Sequence, residues 1–167
     1  MKKLNKKGFT LVELLAVVVI LGILMLVAIP AIQKSIQNSK KGTFANSSKE
    51  MINAVKSEYA NDNLGDTCPN GVDGAYYVTV ANANNLMETK LKSPFKASLN
   101  LSGYILITVK NGKATYSAAI RDANGGGFGT TAAPIEFSEI KQNTVDEHSD
   151  TKSIGKPTDA KPCKVSN

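Results

Sequence analysis

The sequence predicts an α+β protein: one long N-terminal helix, apolar in its first half and amphipathic in its second, packed on an antiparallel β-sheet. Three observations predict it. Phe9 to Ile32 is almost continuously apolar; Ile32, Ile36, Phe44, Ile52, Val55 and Tyr59 then recur at steps of three, four or eight; and two β-rich runs flank Asn111-Gly112. At 167 residues the chain can hold one modest core and one long appended element.

Within Phe9 to Ile32, Glu13 is the only charged residue, and Thr10 and Pro30 are the only other breaks. A helix of that length, at about 1.5 Å per residue, reaches roughly 36 Å and so crosses a hydrocarbon core of about 30 Å. Lys2, Lys3, Lys6 and Lys7 immediately precede it. The positive-inside tendency therefore places the N-terminus in the cytoplasm and everything after Ile32 outside. An ordinary secretory signal has a shorter apolar region, about 7–15 residues, followed by a small-residue cleavage site. Here the apolar run passes without a break into the amphipathic stripe.

That stripe carries the helix to about Asn61, where the turn-rich stretch Asn61 to Asp66 ends it. A single stripe needs one packing partner, and the residues that follow supply it. Ala75 to Ala81, Gly103 to Lys110 and Lys113 to Arg121 read as strands, the last two joined by the Asn-Gly hairpin signal. Asn82 to Glu88 reads as a short helix or turn, and Gly125-Gly126-Gly127-Phe128-Gly129 as a flexible loop. The tail from Asn143 to Asn167 is polar, balances four lysines against four acidic residues, and lacks core.

The formal charge of +6 suggests a nucleic-acid or anionic-membrane partner until its location is considered. Without the four leader lysines, 16 basic residues face 14 acidic ones, and only Arg121 is an arginine. The bulk of the chain is nearly neutral and lacks the planar forks that read phosphates or bases bidentately, so no nucleic-acid partner is expected. Cys68 and Cys163 stand far apart, outside any C-x-x-C or His-containing metal pattern. A disulfide between them would close most of the soluble part, contribute about 4 kcal/mol in the chain-entropy picture, and tie down the tail in an oxidising, extracytoplasmic setting. The alternative is two buried free thiols.

The junction says more than the anchor does. Lys6-Lys7-Gly8-Phe9-Thr10-Leu11-Val12-Glu13 resembles the prepilin peptidase site of type IV pilins: a basic leader ending in glycine, then Phe-Thr-Leu-x-Glu, then the apolar helix. The resemblance covers about the first 35 residues closely and the remainder in architecture, a pilin-like long helix on a sheet. It implies cleavage between Gly8 and Phe9, N-methylation of Phe9, and assembly roles for Glu13, Thr10 and Leu11. In the family the matching glutamate neutralises the N-terminal amine of a neighbouring subunit. Glu13 needs some partner on physical grounds, because a carboxylate within an apolar span costs about 3 kcal/mol. The alternative is a charge that snorkels to the interface with no role in assembly. Gly22 and Pro30 stand where the family has helix-breaking residues, implying a kink or local melting in the fibre; membrane helices also tolerate both residues generally.

The implied organisation is a leader over 1–8, a transmembrane and polymerisation helix over 9–32, its amphipathic half over 33–61, and a globular β-sheet domain over 62–167. The implied function is structural: a subunit of a type IV pilus, supporting adhesion, surface motility or aggregation. Its implied partners are copies of itself, minor pilins, the prepilin peptidase, the membrane assembly machinery, and lipid before assembly. No cofactor, metal or catalytic residue is expected. The sequence lacks a P-loop, HExxH and G-x-S-x-G, and its one histidine, His148, sits among acidic residues in the tail. Two alternatives keep the leader. A secretion pseudopilin would have a calcium loop, for which Asp122-Ala123-Asn124-Gly125 supplies only the first two ligand positions. A competence pilin would bind extracellular DNA through Lys90, Lys92 and Lys96, which otherwise read as solvated lysines. Lysine-rich, arginine-poor usage points to an AT-rich genome, such as that of a clostridium-like Gram-positive bacterium.

Overall fold

A computed structural model describes residues 9–92, 94–95, 101–123, 126–147 and 153–165. The chain divides into two units, Met1–Asn38 and Ser39–Asn167, and helix α1, Leu11–Ala60, contributes to both.

In the first unit the described residues are exposed on every side, the large apolar ones ranging from Leu11 at 83% to Val17 at 46%. The helix is unbroken through Gly22 and Pro30. Pro30 has no N–H to offer the Leu26 carbonyl one turn back, so one rung of the ladder is missing there.

In the second unit, α1 buries one stripe: Phe44, Ala45, Ser48, Met51, Ile52, Val55 and Tyr59. The expected stripe begins at Ile32, but Ile32 and Ile36 are exposed, and the buried stripe begins at Phe44. The helix stops where predicted, and by a specific device. Asp62 takes a left-handed φ of 58°, its N–H donates to the Tyr59 carbonyl, and the Asn63 N–H donates to the Glu58 carbonyl at 2.9 Å. These two bonds form a Schellman closure with Asp62 in the place glycine usually fills.

The sheet consists of β1 (Gly74–Thr79), β2 (Leu101–Lys110), β3 (Lys113–Asp122), β4 (Gly126–Phe128), β5 (Ile135–Glu136), β6 (Asp146–Glu147) and β7 (Lys161–Pro162). Its order is β6-β4-β3-β2-β1-β7, with β5 also on β3. Among the described residues all pairs are antiparallel except β1 with β7, so the expected antiparallel sheet carries one parallel edge. The central hairpin matches the Asn-Gly reading: Lys110 pairs with Lys113, and Asn111 and Gly112 take φ of 53° and 72°, the left-handed pair of a two-residue turn.

Alternation along the strands sorts side chains to two faces. Tyr76, Val78, Ile105, Ile107, Val109, Ala118 and Ile120 join the α1 stripe in the main core, while Tyr77, Tyr104 and Ala119 form a second cluster on the other face. Each fully buried aliphatic side chain contributes about 2 kcal/mol, so the main core is the chief source of this unit's stability.

Three local expectations are corrected. The strand expected to Ala81 ends at Thr79, whose hydroxyl accepts from the Asn82 N–H and caps a short helix α2, Val80–Asn85, starting two residues earlier than expected. The glycine run is no flexible loop over its described part: Gly126–Phe128 is buried strand β4 between β3 and β6. A Cβ on Gly127 would stand 2.5 Å from the Ile120 carbonyl oxygen, so glycine permits the close strand approach. Gly125 lies outside the described residues. The tail does have core. Val145 and Cys163 are buried, and Ile154 and Ala160 pack on the Tyr77–Tyr104 cluster. The Ile154 N–H donates to Ser102 Oγ at 3.0 Å, and the Cys163 N–H donates to the Tyr77 carbonyl at 2.9 Å.

Candidate assembly site

The first turn of α1 is built by four residues. Thr10 precedes the helix, and its Oγ1 accepts from the Glu13 N–H at 3.2 Å. Glu13 Oε2 reaches back to accept from the Thr10 N–H at 2.9 Å and from the Thr10 hydroxyl at 2.7 Å. This reciprocal capping box satisfies two of the N–H groups that every helix start leaves without an intrahelical partner. It also sets the carboxylate at the positive end of the helix. Within the single chain, then, the only charge of the apolar segment has a partner three residues away. Phe9 precedes the box and Leu11 lies within it, both with exposed side chains, 80% and 83%.

The pattern Thr10-x-x-Glu13 ahead of an apolar run is the sequence signature of such a box, and it gives Thr10 a local capping role beside the assembly role that the junction motif implies. Gly8 lies outside the described residues. Gly22 and Pro30 lie within α1, well beyond the box, and a Cβ on Gly22 would meet nothing within 4 Å.

Cys68 and Cys163 form a disulfide across 95 residues of sequence, their Cα atoms 5.2 Å apart and both side chains buried. The Lys164 N–H donates to Thr67 Oγ1 at 3.2 Å beside it. The bridge therefore fastens the parallel edge strand to the turn region after α1, within the second unit.

The remaining candidates are dispersed. Lys90 and Lys92 are exposed, and Lys96 lies outside the described residues. Asp122 is buried at the end of β3, at 2% exposure. Asn124 and His148 lie outside the described residues.

A basic junction, a capped helix long and apolar enough to cross a membrane, and a disulfide-bonded α+β unit define a class: a membrane-anchored subunit that carries an extracellular-type domain. Comparison with known proteins narrows it. The model of the prokaryotic N-terminal methylation motif matches residues 3–29. The chain is 32% identical over 123 residues to a ComG operon protein 3 homolog of Bacillus licheniformis, covering 73% of this chain and 95% of that protein. It is 30% identical over 111 residues to the type IV major fimbrial protein FimA of Dichelobacter nodosus, covering 66% of this chain and 70% of that one. No solved structure gives a significant match. The chain belongs to the type IV pilin family. It is accordingly a structural, non-enzymatic subunit of a pilus or pseudopilus, processed by prepilin peptidase from a membrane-anchored precursor and polymerised into an extracellular fibre.

Proposed function

We propose that prepilin peptidase cuts the chain between Gly8 and Phe9 on the cytoplasmic side, that the new Phe9 amine is methylated, and that the mature subunit, with its C-terminal domain outside the membrane, polymerises through residues 9–32 into a pilus serving adhesion, surface motility or aggregation. Residues 33–61 then form the amphipathic half of the helix and 62–167 the globular domain. The observation that carries this reading is the capped carboxylate of Glu13 one turn into a helix whose apolar side chains are exposed all round. So large an apolar surface requires cover, first from lipid and then from the same segment of other copies.

Glu13 makes the exchange directional. In the membrane its charge is held by Thr10; in the fibre the methylated Phe9 amine of a neighbouring copy offers an opposite charge in a dry setting, where an ion pair is stronger than hydrogen bonds from uncharged donors. Leu11 contributes apolar contact at the same level. Gly22 and Pro30 weaken the helical ladder between them and allow it to melt when copies pack tightly. The other partners follow: minor pilins and the membrane assembly machinery.

The test is the mass and N-terminal residue of the subunit in surface-sheared fibres. A chain starting at methylated Phe9 is the expected result, and one starting at Met1 or after Ile32 would overturn the processing. Glu13→Ala should still be cut but should lose fibres by more than about tenfold, the factor corresponding to roughly 1.4 kcal/mol in assembly. Wild-type fibre levels in that variant would remove Glu13 from assembly.

A further inference from the structure

Two of the chain's Asn-Gly pairs, Asn70-Gly71 and Asn111-Gly112, lie in exposed turns of the second unit, and a third, Asn124-Gly125, lies outside the described residues. Asn-Gly is the pair most prone to spontaneous deamidation, since glycine offers no side chain to hinder the attack of its own nitrogen. The Gly112 nitrogen would give its proton to solvent base and bond to Asn111 Cγ. The bond from Cγ to the side-chain nitrogen then breaks, and ammonia leaves after regaining a proton. Water opens the resulting succinimide at either carbonyl, leaving aspartate or isoaspartate at 111.

In both described pairs the attacking nitrogen is held. The Gly112 N–H donates to Asp73 Oδ1 and the Asn111 N–H to Asp73 Oδ2, each at 3.1 Å. One carboxylate thus pins two successive amides from 38 and 39 residues away, fixing the peptide plane that must rotate for ring closure. Removing the Gly112 proton would also leave a nascent amide anion against a carboxylate. At the second pair the Gly71 N–H donates to the Tyr59 hydroxyl at 3.1 Å. There the nitrogen that would leave, Asn70 Nδ2, donates to the Ala60 carbonyl at 3.2 Å, and the Asn70 N–H donates to Asp62 Oδ1 at 3.2 Å. The two turns are neighbours: a Cβ on Gly112 would stand 4.0 Å from the Gly71 carbonyl oxygen.

We propose that Asn111-Gly112 is a latent deamidation site held in check by the Asp73 carboxylate, and that Tyr59 does the same for Asn70-Gly71. Isoaspartate at 111 would add a backbone methylene to a two-residue turn, misalign both amides and release the β2–β3 hairpin end from Asp73. For a subunit that remains outside the cell, the guard sets how long the turn keeps its chemistry.

The experiment uses the full chain in detergent micelles, held at mildly alkaline pH and followed by peptide mass spectrometry with isoaspartate detection at each site. Folded wild type should convert at Asn111 at least about tenfold more slowly than the same chain in denaturant, the scale of one charge-assisted hydrogen bond. Asp73→Ala should accelerate conversion at Asn111 and leave Asn70 unchanged; Tyr59→Phe, which keeps the ring and loses only the hydroxyl, should do the reverse. Equal wild-type rates folded and denatured, no change in Asp73→Ala, or acceleration at both sites in either variant would overturn the proposal, the last by showing general loosening.

Discussion

The two halves of α1 share one backbone conformation and have opposite fates. Up to Asn38 the described helix exposes every side chain, although nearly all as far as Ile32 are apolar; from Phe44 to Tyr59 a single stripe is buried and the rest is wet. Helicity is therefore not what decides packing. The distribution of apolar residues around the helix decides it. An all-round apolar surface can be satisfied only by a surrounding solvent or by many equivalent neighbours, and a stripe is satisfied by one sheet.

The sharpest way to break the contrast is a matched pair of truncations. Phe44 is fully buried, with the rings of Phe95 and Phe128 at 5.6 and 6.1 Å. Phe44→Ala should cost up to about 5 kcal/mol of unfolding free energy, because the cavity adds to the lost transfer energy. Leu21→Ala, in the exposed half, should leave unfolding of the second unit unchanged while lowering fibre yield. Both are read by denaturant titration in detergent, and a Leu21→Ala unfolding loss above about 0.5 kcal/mol, the usual limit for surface substitutions, would end the separation of roles.

Next in size is the disulfide. Replacing Cys68 and Cys163 together with serine should cost about 4 kcal/mol by the loop-entropy argument. The loss should be concentrated at the β7 edge and in the tail residues on the Tyr77–Tyr104 cluster, where hydrogen exchange should rise first. Uniform loss of protection across β2 and β3 would mean instead that the bridge supports the whole sheet.

The same contrast explains what the sequence makes legible. The helix, its end near Asn61 and the β2–β3 hairpin follow from periodicity and turn chemistry, which are local. The start of the buried stripe does not: Ile32 and Ile36 continue the pattern yet are exposed, because a period marks a face without saying what covers it. Strand β4 is hidden because Gly-Gly-Phe has no alternation, its glycines serving a close strand approach that exists only once β3 and β6 are in place. Strands β6 and β7 are two residues each, too short for any pattern. At the candidate site the capping box is spelled out in Thr10 and Glu13, three residues apart. The Asp73 clamp is not, since its partners lie 38 and 39 residues away.

A smaller effect tests the box. Thr10→Ala removes both the acceptor for the Glu13 N–H and the hydroxyl donor to its carboxylate, and should cost about 1 kcal/mol of local helix stability. Faster amide exchange confined to the first turn of α1 is the expected reading. Unchanged exchange there would show that the turn does not depend on its cap.

The smallest effect is a pH dependence, and it belongs wholly to the second unit. The N–H groups of Gly112 and Asn111 hold the Asp73 carboxyl below its usual range, because they stabilise its charged form. A carboxyl lowered on folding binds fewer protons folded than unfolded, so its contribution is fully present above the ordinary value near about 4 and is lost as pH falls through the lower folded value. Wild type should therefore lose melting temperature more steeply than Asp73→Asn across that acid window, and the two should run parallel above it. Since Asp73 is solvent-accessible, salt should shrink the difference. Parallel curves throughout the acid window would show that the clamp holds the turn through geometry alone, with the charge contributing nothing to folding.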